Sequence, residues 1–363
     1  MSIPQDITIQ IFSCLPAKSL MRFKCVSKFY NTIVLKPYFA DIRSSNYSKI
    51  NGCLDGDFDG LFYSIEEDGN ATKSCQLDNF DKLCPHIDRI SNYFGYDNGL
   101  FCTWEEKYIA IFNPATGEVR YLPYLKCFDD VSSFIFSIGF EPEENKYKVL
   151  LTIYKQNHLE LSRALVFTLG IDNSWREIIT YGEHDYIIFV IYRFSYSPEF
   201  CIVTFDIKSE IFTTLTMSIE FHNNIDMNII DKYGHKDYVL IGVNGKLGIM
   251  YIPRFFLTKD IHIWILKEEW EHQIFEFPLE WKHEDDIYLH RFGICKYGDE
   301  EIVFATWIET SDDVLAYFYY HVKNKSWRYF KANEYAGVNS IFSYSESLFP
   351  LKNIGLPTTI AEE

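Results

Sequence analysis

The chain contains 363 residues, of which 47% are hydrophobic and 18% aromatic, and its formal net charge at pH 7 is −17. This composition supplies a large core and excludes a disordered chain, and no segment approaches the roughly 20 apolar residues of a membrane-spanning helix. Nucleic acid is an unsuitable partner for so acidic a protein, because phosphates are bound by Lys and Arg.

The cysteine pattern and the N-terminus indicate the compartment. The nine cysteines form no C-x-x-C pair, and the first residues lack the basic start of a secretory signal. We therefore expect reduced thiols and a location in the cytoplasm or nucleus.

The charge is distributed unevenly along the chain. Residues 1–45 contain six basic and two acidic side chains, a balance of +4. Since the whole chain carries −17, the remaining residues carry −21. An acidic body of this kind suits a basic partner protein, although the same charge also serves ordinary solubility.

Residues 1–45 begin with the pattern of a short helix. Pro4 and Asp6 occupy a first turn that accepts them, and Ile7, Ile11 and Leu15 recur at the four-residue spacing of one helical face. The proline that follows Leu15 ends this helix, because the residue before a proline avoids the helical conformation.

A second helix is predicted to be capped by Ser19 and to present Leu20, Phe23, Val26 and Tyr30 on its apolar face. After a further proline, a third short segment is predicted over residues 38–42. A module this small buries little surface alone, so its apolar faces need either the following domain or another chain.

From about residue 54 the pattern changes to strands and turns. A recurring unit consists of an alternating apolar strand with an aromatic residue near its end, a polar turn and a second strand. The five copies pair residues 109–113 with 118–122, 165–169 with 175–178, 202–206 with 211–215, 261–264 with 270–274, and 317–321 with 327–330.

The aromatic anchors of these units are separated by 55, 38, 59 and 56 residues, near the roughly 40–50 residues of a propeller blade. The anchors are Phe112, Phe167, Phe205, Trp264 and Tyr320. Further predicted strands at residues 134–140, 147–154, 238–242, 247–252 and 302–307 give each repeat about four strands. The spacing admits an irregular β-propeller or a large β-sandwich, and we prefer the propeller.

The N-terminal segment resembles an F-box. The residues that match are 3–7, Ile11, the run Leu-Pro-Ala-Lys-Ser-Leu-Met-Arg-Phe-Lys-Cys-Val-Ser-Lys at 15–28, Tyr30, Pro37 and Phe39. Tyr30 stands where the family usually has Trp, and Gln10 where it usually has Glu.

The remainder resembles the F-box-associated interaction domain of plant proteins, and the overall pattern is similar to S-locus F-box proteins. The matching residues are 98–102, 112–118, 122–123, 139–140, 147–149, 174–178, 205–207, 210–212 and 263–264. Residues 186–193 depart from the Gly-x-x-Tyr/His-Trp stretch that usually precedes the third anchor.

Together, pattern and resemblance predict a mainly β protein with a small α module. A three-helix F-box (residues 1–45) is followed by an irregular kelch-like β-propeller that binds substrate (residues 54–350), and residues 354–363 form a loose tail. The chain lacks the Gly-Gly pairs of a regular kelch array.

An F-box implies binding to a Skp-type adaptor, which joins the chain to the cullin and RING subunits of an SCF ubiquitin ligase. The chain then selects a protein for ubiquitylation and degradation, and it is not itself an enzyme, because the conjugating enzyme supplies the reactive cysteine. The resemblance places adaptor contacts at Ile3, Pro4, Ile7, Ile11, Leu15, Pro16, Leu20, Arg22, Cys25, Val26, Lys28 and Tyr30.

Acidic groups in the predicted loops of the β-domain are our hypothesis for the substrate surface. The resemblance to S-locus proteins implies a basic secreted ribonuclease as a substrate, and the charge of −21 agrees with a basic partner. The residues are Asp129, Asp130, Glu143, Glu144, Glu268, Glu269, Glu284, Asp285, Asp286, Asp312 and Asp313.

Rival chemistries have weaker local support. Residues 55–66 match the D-x-D-x-D-G-x₅-E calcium loop, but turn-forming residues flank them, so we interpret residues 61–65 as a strand after an acidic turn. No zinc-ligand spacing, G-x-S-x-G, Walker A or G-x-G-x-x-G pattern is present. We therefore expect no metal or cofactor, and the alternative function is a binding or scaffold protein outside a ligase.

Overall fold

A computed structural model describes residues 4–34, 39, 61–65, 71–76, 94–105, 108–123, 133–154, 161–178, 201–216, 238–243, 246–251, 260–276, 289–297, 301–308, 314–331 and 346–351. Its N-terminal part contains α1 (Gln5–Ser13), α2 (Ala17–Val26) and α3 (Lys28–Val34). No helix in these ranges is long and apolar enough to cross a membrane.

The second helix differs from its prediction at both ends. It begins at Ala17, after Pro16 with φ −56° and ψ 147°, and no side chain caps it, so the predicted Ser19 cap is wrong. It ends at Val26, because the next residue, Ser27, has an extended φ of −150°, and the Ser27 hydroxyl accepts the Phe29 N–H at 3.2 Å. Ser27 therefore caps a separate α3, which contains Tyr30.

The predicted segment at residues 38–42 lies outside the described residues, apart from Phe39. The predicted tail at 354–363 also lies outside them.

Twenty described strands form six antiparallel sheets, and within each sheet the strands pair in chain order. The sheets are β1 (Leu61–Ile65) and β2 (Ala71–Gln76); β3 (Phe94–Asp97), β4 (Leu100–Glu105), β5 (Tyr108–Asn113) and β6 (Glu118–Tyr121); β7 (Ser133–Glu141), β8 (Lys146–Tyr154), β9 (Leu161–Thr168) and β10 (Arg176–Ile178); β11 (Cys201–Asp206) and β12 (Ile211–Thr216); β13 (Tyr238–Val243), β14 (Lys246–Tyr251), β15 (Asp260–Leu266) and β16 (Trp270–Glu276); and β17 (Leu289–Tyr297), β18 (Glu301–Ile308), β19 (Val314–His321) and β20 (Ser326–Lys331).

The predicted recurring unit is confirmed as a pair of neighbouring strands. Four of its five copies are the third and fourth strands of four-stranded sheets, β5–β6, β9–β10, β15–β16 and β19–β20, and the other is β11–β12. Such four-stranded meanders are the blades of a β-propeller, and the predicted fold class is confirmed.

Consecutive sheets pack face to face through alternating side chains. One face of β7–β9 packs against β4 and β5, for example through Phe167 and Val149, both fully buried. The opposite face, with Leu150 and Val166, packs against Phe205 and Phe212 of β11 and β12. Sheets β13–β16 and β17–β20 share another core. The two-residue period of strands thus gives the sheet β7–β10 two apolar faces.

Two tryptophans join neighbouring sheets in the same way. Trp175 lies just before β10 and donates from Nε1 to the Pro123 carbonyl, just beyond β6, at 2.9 Å. Trp327 in β20 donates to the Glu276 carbonyl, at the end of β16, at 2.8 Å. Each tryptophan follows a serine and precedes an arginine, so a Ser-Trp-Arg sequence marks both inter-sheet hydrogen bonds.

The sheet β7–β10 and the hairpin β11–β12 are also joined by charge. The Lys148 ammonium donates to Glu210 at 2.7 Å and to the Ile207 carbonyl at 2.6 Å, and Arg176 donates to the same carboxylate at 2.9 Å. The Arg176 hydrogen bond is the main cause of a lowered Glu210 pKa. A Cβ on Gly139 would lie 2.2 Å from Ile207 Cδ1, so the absence of a side chain permits this close approach.

Residues 346–351, here named the C-terminal strap, return to the first two four-stranded sheets. Asn113 Nδ2 donates to the Ser347 carbonyl at 3.0 Å and to the Phe349 carbonyl at 3.2 Å. The Leu351 N–H donates to Glu118 at 2.8 Å, and the Leu351 side chain is fully buried between the sheets. The strap therefore belongs to the propeller core despite its distance in sequence.

Candidate adaptor-docking surface

The three helices enclose a small core of their own. Phe12, Leu20, Ile33, Val34 and Phe39 are all less than 7% exposed. Ring contacts extend this core outward, since Tyr30 lies 4.8 Å from Phe12 and 5.9 Å from Phe23 between ring centroids. A core of this size is modest, and it leaves other apolar side chains of the module uncovered.

The uncovered side chains are concentrated on the helices. Eight large hydrophobic side chains are exposed in the described parts of the chain, and five of them belong to α1–α3. They are Ile7 (44% exposed), Ile11 (51%), Phe23 (38%), Val26 (76%) and Phe29 (48%), and we call them the docking residues.

These side chains are exposed because each short helix has a side that faces away from the small core. Ile7 and Ile11 lie four residues apart, on one side of α1, while Phe12 of the same helix points into the core. Burying each such side chain stabilises a complex by about 1.5–3 kcal/mol, so several together favour association with another apolar surface.

Basic side chains accompany the docking residues. Arg22 and Lys28 are exposed. Lys24 is half-buried, and burial lowers its pKa, opposed mainly by attraction to Glu118 of β6. One cation thus faces the β-domain, and the others are available to an acidic partner.

The twelve residues assigned by resemblance divide by exposure. Leu20 has no exposed surface, so its assignment is corrected from a contact residue to a core residue that supports the helices. Leu15 and Tyr30 are half-buried against the same core, and Ile3 lies outside the described residues. The exposed members are Pro4, Ile7, Ile11, Pro16, Arg22, Cys25, Val26 and Lys28.

The assignment by resemblance omitted two docking residues, Phe23 and Phe29. Phe23 was attributed to the apolar face of the second helix, and 38% of its surface is exposed. Phe29 precedes Tyr30 at the start of α3, and adjacent helical residues point in different directions. The adjacent Phe29 and Tyr30 therefore indicate, from the sequence, that one of the two rings lies outside the core.

Comparison with known proteins matches both parts of the chain. Residues 1–41 match the F-box domain, and residues 50–351 match the F-box associated beta propeller domain. The chain belongs to the F-box protein family. Its helical module is the F-box, and its stacked sheets are the associated propeller.

Similar proteins cover most of the chain. The Arabidopsis thaliana F-box protein At1g30790 is 27% identical over 90% of this chain and 88% of its own length. The Arabidopsis F-box protein At3g57590 is 30% identical over 76% of this chain and 72% of its own length. Among solved structures, the WD40 domain of SCAP from fission yeast aligns with a TM-score of 0.37 and 11% identity, covering 75% of this chain and 63% of that one.

The acidic residues predicted to bind substrate do not share one environment. Glu143 pairs with Lys208 of the β11–β12 turn, and Glu144 pairs with Lys146 at 2.6 Å, which is the main cause of its lowered pKa. Glu268 and Glu269 are exposed in the turn between β15 and β16. Asp129, Asp130, Glu284, Asp285, Asp286, Asp312 and Asp313 lie outside the described residues.

Four of these acidic residues share one kind of position. Glu143, Glu144, Glu268 and Glu269 occupy tight hairpin turns, between first and second or third and fourth strands. The other seven belong to the longer connections 124–132, 277–288 and 309–313, of which the structure describes no residue.

The predicted strand at residues 61–65 is confirmed. These residues, the seventh to eleventh of the calcium-loop pattern, form β1 and pair with β2. In the described ranges no group of three or more His, Cys, Asp or Glu side chains is arranged to hold a metal ion.

Proposed function

We propose that this F-box protein is the substrate-recognition subunit of an SCF-type ubiquitin ligase. The docking residues contact a Skp-type adaptor, which connects the chain to the cullin and RING subunits, and the propeller binds the protein to be ubiquitylated. The observation that carries this proposal is the concentration of exposed apolar side chains on the small F-box.

The chain contributes proximity in this function, and the conjugating enzyme contributes the chemistry. Holding a substrate lysine near the charged cysteine converts a bimolecular encounter into an effectively intramolecular reaction, which can raise the rate by several powers of ten. The chain needs no catalytic group for this, and we propose that it acts in the cytoplasm or nucleus.

Co-purification of the full chain with a Skp-type adaptor tests the proposal. Val26 is 76% exposed, so Val26→Asp leaves the F-box core intact but places a charge in the apolar contact. We expect this variant to lose the adaptor. The matched control is Ile211→Asp, which charges an isoleucine that is 56% exposed on the propeller, and it should retain the adaptor. Absence of adaptor binding by the unchanged chain would favour a scaffold role outside a ligase.

For the substrate, we propose a basic protein, of which a secreted ribonuclease of the S-locus type is one chemical example. Support comes from the charge of −21 on residues 46–363 and from the acidic residues in the longer connections. Attraction of this kind weakens as salt rises.

Reversing the charge at two places tests which acidic groups bind the substrate. The substrate would first be obtained by co-purification with the stalled ligase. Asp312→Lys with Asp313→Lys is expected to weaken its binding at low salt, whereas Glu143→Lys with Glu144→Lys should have a smaller effect, because Lys208 and Lys146 already pair with those carboxylates. Unchanged binding in both variants would refute a basic substrate surface.

A further inference from the structure

The C-terminal strap contacts the F-box as well as the propeller. Leu348 packs against the F-box core formed by Phe12, Leu20, Ile33, Val34 and Phe39. Its neighbours in the strap contact the propeller: the Ser347 and Phe349 carbonyls accept from Asn113, and Leu351 is buried between propeller sheets. One short segment therefore carries contacts to both units.

The propeller side of the strap is built from a motif that also marked the family resemblance. In Asn-Pro-Ala-Thr-Gly-Glu at 113–118, the fully buried Asn113 donates to the strap through Nδ2 and accepts the Ala115 N–H through Oδ1 at 3.0 Å. Glu118, at the end of the motif, accepts the Leu351 N–H. The residues at both ends of this turn, Asn113 and Glu118, thus hydrogen-bond to the strap.

Additional contacts strengthen this attachment. The Tyr147 hydroxyl lies 2.6 Å from the Asn98 carbonyl and 3.0 Å from Ser347 Oγ, and its ring lies 4.8 Å from that of Phe349. Glu118, which accepts from the strap, also attracts the half-buried Lys24 of α2.

We propose that the strap fixes the orientation of the F-box relative to the propeller, with Leu348 as the positioning residue and Asn113 as its anchor. Only the functional consequence of this inference rests on the proposed ligase function. That consequence is that a fixed orientation presents a defined set of lysines to the conjugating enzyme. The fixed orientation itself is a property of the chain alone.

The test measures the distance between the two units in the full chain without any partner. Spin labels are introduced through genetically encoded residues at Thr32 of α3 and Ile171 in the turn before β10, both exposed. The unchanged strap should give one narrow distance distribution. Leu348→Ala should lose that single narrow peak, whereas Leu348→Met, which retains an apolar contact, should keep it.

A second variant changes the propeller residue that holds the strap. Asn113→Asp removes the Nδ2 donor without touching the helices and should broaden the distribution in the same way. A narrow, unshifted distribution in both Leu348→Ala and Asn113→Asp would overturn the inference. Helical circular dichroism confirms that the F-box is folded in each variant.

The functional consequence is tested in the reconstituted ligase by mapping self-ubiquitylation sites on the propeller. Leu348→Ala should bind the adaptor as before but spread ubiquitin over more lysines, and an unchanged site pattern would contradict the positioning role. If the adaptor does not bind at all, the proposed function fails, while the distance measurement still decides whether the strap orients the two units.

Discussion

The F-box and the propeller use their apolar residues in opposite ways. Among the described residues, the F-box exposes five large hydrophobic side chains in three short helices, while the sheets expose only Ile171, Ile211 and Ile274. The propeller instead buries its large aromatics, including Phe167 and Trp264, which are fully covered. In the described residues the sheets thus leave few large apolar side chains exposed, whereas the F-box exposes a group of them that we propose another chain covers.

The net charges of the two parts of the chain also differ. The segment of +4 that contains the F-box suits an acidic adaptor, and the remainder of −21 suits a basic substrate. The two parts of the chain thus carry opposite net charges, in agreement with the proposed bridging function.

Leu20→Ala gives the largest expected effect and tests whether the two units fold separately. Leu20 is fully buried in the F-box core, so its truncation should destabilise the F-box by about 2–5 kcal/mol. We expect loss of the helical circular dichroism signal on heating well before the propeller unfolds. A single transition that shifts as a whole would contradict separate units. Val26→Ala, at an exposed position, is the control and should change little.

Glu210→Gln tests the charged contact between the sheet β7–β10 and the hairpin β11–β12. Glu210 accepts from Arg176 and Lys148 and is largely buried, so loss of its charge should cost about 1.5–3 kcal/mol. Arg176 is the first cause of the lowered Glu210 pKa in the folded chain. The stabilisation by the Glu210 charge is therefore fully present above the pKa of a Glu side chain in the unfolded chain, about 4.3. It is lost as the pH falls through the lower pKa that Glu210 has in the folded chain.

Denaturant unfolding at neutral and acidic pH measures this contribution. The difference between the unchanged chain and Glu210→Gln should shrink as the solution becomes acidic. A constant difference across that range would show that the effect arises from packing and not from charge.

The two tryptophan hydrogen bonds give a smaller effect. Trp175→Phe and Trp327→Phe each remove one donor to a neighbouring sheet while keeping a ring, so each should cost about 1 kcal/mol. Since the two sites join different pairs of sheets, the double variant should show the sum of the single changes. If the free-energy change of the double variant differs clearly from the sum of the single changes, the two pairs of sheets are energetically coupled.

The strands were readable from the sequence because alternation is local. All five hairpin units were predicted with the correct strand pairs, and β1 was preferred over a calcium loop because turn-forming residues flank it. Strands β2, β3, β4 and β17 were not predicted. Asn98 and Gly99, both with positive φ, form the tight turn between β3 and β4, and they were treated only as part of the family resemblance.

The role of each docking residue was harder to predict. Helical spacing places Ile7, Ile11 and Leu15 on one face, but it does not say whether that face is inside. Which face is inside is decided by contacts such as that of Leu348 with the F-box core, which joins residues more than three hundred positions apart. For the same reason Leu20 was assigned to the adaptor, although the folded module covers it completely.

The most direct measurement of the central claim is calorimetric titration of the full chain with a purified Skp-type adaptor, using two matched isoleucines. Ile11 on α1 is 51% exposed and Ile274 on β16 is 53% exposed, so their Asp variants change equal chemistry at equal exposure. Ile11→Asp should weaken binding by roughly 30-fold or more, the effect of losing about 2 kcal/mol at an interface, while Ile274→Asp leaves it unchanged. Equal effects of the two variants would contradict a docking surface on the F-box.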